Sequence, residues 1–146
     1  MTAVRWTPAR GLMEEALRRS RVPRAARRVA GEAMAGADFV PAVDIRETPE
    51  AFEIDVELPG VEPADVTVDL HEGVLSVRGE RRVAERGEDV KSHRGERRFG
   101  RFARTFLLPE SADADAIRAR ATNGVLTIEV GKRAETQPRS IEVEVH

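Results

Sequence analysis

From Phe39 onward the chain alternates apolar and polar residues with period two, the spacing that puts every second side chain on one face of an extended strand. Val43 and Ile45 alternate with Asp44 and Arg46, and Phe52, Ile54, Val56 and Leu58 alternate with Glu53, Asp55 and Glu57 until Pro59-Gly60 ends the run. Val66, Val68 and Leu70 alternate with Thr67, Asp69 and His71, and Leu75 and Val77 alternate with Ser76 and Arg78. Glu72-Gly73 between these two runs reads as a tight hairpin, because glycine supplies the positive φ such a turn needs. Phe102, Arg104, Phe106 and Leu108 resume the pattern up to Pro109. A short segment around Ile117 and Ala119 then leads to Asn123-Gly124, a second hairpin signal, and Leu126, Ile128 and Val130 close the series. Seven or eight short strands separated by turn residues, with no helix between them, predict an antiparallel sandwich.

Outside this stretch the pattern changes. Leu12, Met13, Ala16 and Leu17, and then Ala25, Ala26, Val29, Ala30, Ala33 and Met34, fall at helical spacing on either side of Pro23, which breaks the two pieces apart. Helices this short are marginal alone, so the arm is expected to be ordered only where its apolar stripe finds a partner surface. Between Gly79 and Gly100 apolar residues nearly vanish around Val83 and Val90, predicting a long polar excursion with one short strand near His93 to Arg97. A loop of this length in a small domain is functional, disordered or exchanged with a neighbour. After a polar connector, 132–140, comes Ile141-Glu142-Val143-Glu144-Val145, which as an extended strip carries Ile141 and Val143 on one side. Such a strip suits a groove beside a sheet edge, where backbone hydrogen bonds give affinity and pockets give specificity.

Charge separates the same parts. Of the 24 Lys+Arg and 26 Asp+Glu in 146 residues, eight arginines and only four acids precede Phe39, so a basic arm of net plus 4 adjoins a remainder of net minus 6. Arginine clusters invite a nucleic-acid reading, but Trp6 is the one aromatic before Phe39, so the interleaved aromatics that stack on bases are missing. An arm lying near acidic neighbouring subunits explains the asymmetry better, and no nucleic-acid partner is expected. With aromatics at 4% of the chain, the core is expected to rest on Val, Ile, Leu, Ala and five Phe.

Candidate chemistry is sparse. The chain has no cysteine, which removes disulfides, thiolate catalysis and cysteine-bound metal, and His71, His93 and His146 are too scattered to suggest a metal site. Carboxylate pairs such as Asp113/Asp115 and Asp65/Asp69 are ordinary solvated positions in a chain that is 34% charged. Ser76 sits within a strand and not at a nucleophile elbow, and no phosphate loop is present. The expectation is therefore a protein without catalytic residues, metal or cofactor. No apolar run is long enough to cross a bilayer and none resembles a secretory leader, so a soluble cytoplasmic chain without a membrane partner is expected.

Several segments together carry a family resemblance: Pro41-Ala42-Val43-Asp44-Ile45-x-Glu47-Thr48, Glu57-Leu58-Pro59-Gly60-Val61, Gly73-Val74-Leu75-Ser76-Val77-x-Gly79-Glu80, Phe99-Gly100-x-Phe102-x-Arg104-x-Phe106-x-Leu108-Pro109, and Ala119-x-x-x-Asn123-Gly124-Val125-Leu126. In this order they resemble the α-crystallin domain of bacterial small heat shock proteins, the Hsp20 family, and Ile141-x-Val143 is similar to that family's C-terminal anchor. The resemblance implies an all-β fold, an immunoglobulin-like antiparallel β-sandwich over 40–131. A partly helical or disordered arm, 1–39, would precede it and an extended tail, 132–146, would follow. It further implies an ATP-independent holdase that binds partly unfolded client proteins and assembles as a dimer and larger homo-oligomers. Client contacts would fall on Trp6, Leu12, Leu17, Val29 and Met34 of the arm and on a groove lined by Val66, Val68, Leu70, Ile117 and Ala119. Ile141 and Val143 would anchor the oligomer. Val43, Ile45, His93, Glu96 and Arg104 would lie at a dimer interface made by exchange of the strand near Ser92 to Arg97. Two other readings of the sequence stand beside this one: an adaptor resembling p23-like co-chaperone domains, and nucleic-acid binding through the arm.

Overall fold

Two glycine turns set the registers of the fold. Glu72 and Gly73 take φ of 47° and 74°, and Asn123 and Gly124 take 53° and 77°, the paired positive values of a two-residue hairpin whose twist matches its strands. The computed structural model describes residues 22–134. Its elements are α1 (Arg24–Met34), β1 (Val43–Glu47), β2 (Ala51–Glu57), a 3-10 turn (Pro63–Asp65), β3 (Val66–His71), β4 (Val74–Arg81), β5 (Gly100–Leu107), β6 (Ala112–Thr122) and β7 (Val125–Lys132).

The strands form two antiparallel sheets, a four-stranded one in the order β1-β2-β7-β6 and a three-stranded one in the order β3-β4-β5. This is the expected all-β sandwich. Pairing Ile54 with Ile128, Val56 with Leu126, and Leu75 with Phe106 aligns the apolar parities of neighbouring strands, so each sheet presents one apolar face inward. Ile54, Val56, Val77, Ile128 and Val130 are all but inaccessible there, joined by Phe39, Phe102 and Phe106. On the outer face of the larger sheet, Arg46 bridges Glu53 at 3.2 Å and Asp55 at 2.7 Å, and Thr127 Oγ1 donates to Asp55 at 2.7 Å.

Three features depart from the sequence reading. The alternation around β4 predicts one buried face, yet Val74 and Ser76 are buried as fully as Leu75 and Val77. The cause is α1, which lies on the outer face of the smaller sheet and packs Ala26 and Val29, with Val22 and Ala30, against Val74 and Leu107. The helix begins at Pro23 without a side-chain cap and has no acid in its first turn, so packing rather than end chemistry holds it. Second, the segment around Ile117 and Ala119 is the longest strand, extended back to Ala112 through a break in register between Ala112 and Ile117. An irregularity of this kind hides a strand from a search for strict period two. Third, the loop 82–99 carries no strand near His93 to Arg97; a lone extended segment has no ladder to join within one chain. The first helical piece of the arm and the C-terminal strip lie outside the described residues.

Candidate functional site: two open flanks of the sandwich

The unequal sheets leave edges exposed. Phe39, just before β1, bridges Phe102 on β5, which puts β1 and β5 on one flank of the sandwich and therefore β3 and β6 on the other.

On the β3/β6 flank, Val66, Val68 and Leu70 stand opposite Gly79, Val77 and Leu75 and so face the core, but with no strand beyond β3 among the described residues they remain half-buried. Across from them Ile117 pairs with Val130 and is half-buried, while Ala119 pairs with Ile128 and is exposed. Ala121, opposite Leu126, continues the same face and is exposed too. The sequence reading missed it, although the Ile117-Ala119-Ala121 spacing carried the signal. Small side chains there leave the inward face of an edge strand uncovered. The five predicted groove residues thus occupy the core-facing sides of two edge strands belonging to different sheets.

On the other flank, β1 pairs only with β2 among the described residues. Val43 packs on the core, whereas Ile45 is 39% exposed. Arg104 shares the inward face of β5 with Phe102 and Phe106, opposite Val77, and is half-buried without an ion pair among the described residues. Burial pushes its guanidinium below the usual arginine range. His93 and Glu96 stand exposed in the loop 82–99, where Arg94 pairs with Glu96 at 3.2 Å.

The arm residues divide. Val29, expected on a client-facing arm, is only 8% exposed and lies against Val74, so it presents no surface while α1 is docked. Met34 is half-buried. Trp6, Leu12, Leu17, Ile141 and Val143 lie outside the described residues. Among the described residues, no cluster of three or more His, Asp or Glu is placed to hold a metal ion, and no helix is long and apolar enough to cross a membrane.

A two-sheet sandwich with these edges open is the α-crystallin type of domain, and the comparisons agree. The chain belongs to the Hsp20/alpha crystallin family, which matches residues 44–146; this is a family of small heat shock proteins and not of enzymes. It is similar to spore protein SP21 of Stigmatella aurantiaca, at 46% identity over 105 residues that cover 72% of this chain and 62% of the relative. It is also similar to a 19.0 kDa class II heat shock protein of Oryza sativa, at 47% identity over 65% of this chain and 59% of the relative. The chain thus spans about three-fifths of the length of these two relatives. Among solved structures, a small heat-shock protein from Xylella fastidiosa matches at 47% identity and TM-score 0.64, covering 75% of this chain and all of that one. Heat shock protein 16.0 of Schizosaccharomyces pombe matches at 36% identity and TM-score 0.62, over 74% of this chain and 99% of that one.

Proposed function

We propose that this chain is a cytoplasmic, ATP-independent holdase that binds apolar segments of partly unfolded proteins under stress and keeps them from aggregating, with no covalent step. The observation that carries the reading is the β3/β6 flank, where Val66, Val68, Leu70 and Ile117 face the core yet stay half open. An extended client segment laid there would gain strand hydrogen bonds together with apolar contacts of about 1–3 kcal/mol each. Ile141 and Val143 of a tail would fill the same place at rest, so that client binding follows a shift of population between covered and open states. The heat shock names of the relatives support the stress role.

The other flank would make the dimer, with the 82–99 loop of one copy, carrying His93 and Glu96, laid beside Val43 and Ile45 of the next and near Arg104. The Xylella structure is described as having a distinct high order structure, which supports assembly beyond the dimer. Trp6, Leu12, Leu17 and Met34 would add client contacts from the arm, and Val29 would do so only after α1 leaves its sheet.

The test is light scattering from an unrelated enzyme heated with and without this protein, in the absence of nucleotide. Suppression at near-stoichiometric amounts is expected. An enzyme that precipitates equally fast in both samples ends the reading.

A further inference from the structure

The approach to β1, the end of β2 and the end of β4 meet around an open cleft of about 230 Å³. Its lining is apolar at Phe39, Val40, Pro41 and Pro59 and cationic at Arg81 and Arg98, with Glu57 the one acid. Arg81 is 8% exposed. Its guanidinium stands 4.8 Å from the Phe39 ring centre, its Nη1 donates to the Arg98 carbonyl at 3.0 Å, and its Nε is buried with no acceptor. A third guanidinium, that of Arg97, lies against Gly60 beside the cleft, and after burial its charge is the second cause pushing Arg81 below the usual arginine range. None of the three arginines makes an ion pair among the described residues. Among the described residues the cleft is a cationic site whose guanidiniums outnumber its one acid, Glu57.

The complement is present elsewhere on the chain. In the loop 82–99, Glu85, Glu88 and Asp89 are exposed and unpaired among the described residues; with Arg86 among them they give 83–90 a net charge of minus 2, and they lie between Val83 and Val90, which are 62% and 54% exposed. Apolar ends around an acidic middle match apolar walls around arginines. Among the described residues of one copy neither half is satisfied: the segment leaves β4 at Arg81 and stays exposed through Arg98. A two-fold pair of chains satisfies both halves, and makes the contact twice.

We propose that the cleft receives the Val83–Val90 segment of a second copy of this chain, its acids on Arg81 and Arg98 and its valines on the walls at Val40 and Pro59. This rests on the dimer part of the function proposed above and gives that contact its charge code. Both contacts form at once when the loop of the second copy runs in the same direction as residues 39–47, its first half at the cleft and its second half beside β1. The pairing also selects against wrong partners, since a loop without acids leaves buried guanidinium uncompensated.

The test is a charge swap in the full chain. Arg98→Glu forms one variant and Glu85→Lys with Glu88→Lys and Asp89→Lys forms the other; all four positions are exposed, and Arg81 is left intact because it packs on Phe39. Each variant alone is expected to raise the dimer dissociation constant by about tenfold or more in sedimentation velocity. Mixed in equal amounts, they are expected to form heterodimers tighter than either variant's own dimer, because the native loop of one then meets the native cleft of the other and the substituted loop meets the substituted position 98. Wild-type affinity in either variant alone, or a mixture that recovers nothing, overturns the proposal while leaving the holdase reading standing. A wild-type chain that stays monomeric at every concentration sinks the cleft contact and the dimer together.

Discussion

The ring of Phe39 lies 5.6 Å from that of Phe102, centre to centre, and tilted by 48°. This pair carries the chain across from the α1 side of the small sheet to the first strand of the large one. Backbone bonds reinforce it: Asp38 N–H donates to the Arg101 carbonyl at 2.7 Å, and Asp38 Oδ2 accepts from Arg101 N–H at 2.7 Å. Phe39→Ala should therefore cost about 3–5 kcal/mol, seen as a lower urea midpoint at unchanged slope. A loss below about 1 kcal/mol would mean that the ring is not part of the core.

Gly79 tests how closely the small sheet is packed. A Cβ there would come within 2.6 Å of Phe102 Cζ and closer still to the Asp65 carbonyl. Gly79→Ala is expected to cost at least about 1–3 kcal/mol through forced movement of a core ring and of backbone, read as a drop in Tm.

Acid sensitivity should trace in part to Asp55. The hydrogen bond from Thr127, and then the pairing with Arg46, hold its carboxyl below the usual carboxylate range against the opposing effect of burial. A carboxyl depressed in the folded state contributes stability above its unfolded pKa of about 3.9 and loses it as pH falls through the folded value. Thr127→Val removes that donor. It should lower stability by about 1 kcal/mol at pH 7, and the difference from wild type should shrink as urea midpoints are taken below pH 4.

Arg104 should behave differently in the monomer and in the assembly. Among the described residues of one chain it is a half-buried charge without a carboxylate, so Arg104→Leu should leave monomer stability unchanged or raise it by about 1 kcal/mol. If the second copy supplies the missing partner, the same change should weaken self-association. Stability measured at low concentration and dimer affinity measured by sedimentation should then move in opposite directions.

The β3/β6 flank can be blocked without disturbing the core. Ala119 is exposed and carries a single methyl, so Ala119→Arg should alter fold stability by no more than about 0.5 kcal/mol while placing a long cation across the client path. Suppression of aggregation should fall markedly. A companion change, Ile141→Ala with Val143→Ala, should shift the oligomer mass in light scattering; an unchanged mass would refute the anchoring role.

Local pattern by itself determined most of the strands and both hairpins. Period-two alternation needs only neighbouring residues to state which face is apolar, and Glu72-Gly73 and Asn123-Gly124 announce their turns through backbone sterics alone. It also determined that α1 would need a surface, since Ala26 and Val29 mark a stripe too weak to hold a free helix. Other relationships were decided only by tertiary structure. Ser76 reads as a solvent-facing position, yet it is buried because α1 covers its side of β4, a fact that lives on a different element. β6 escaped full recognition because its register breaks between Ala112 and Ile117. Arg81 reads as one arginine among many; its burial over Phe39, which is 42 positions earlier in the chain, comes from the meeting of segments distant in sequence. Alternation says which way a side chain points, whereas which edges end up open depends on how two sheets of unequal width are laid together, and that is set by packing across the whole sandwich.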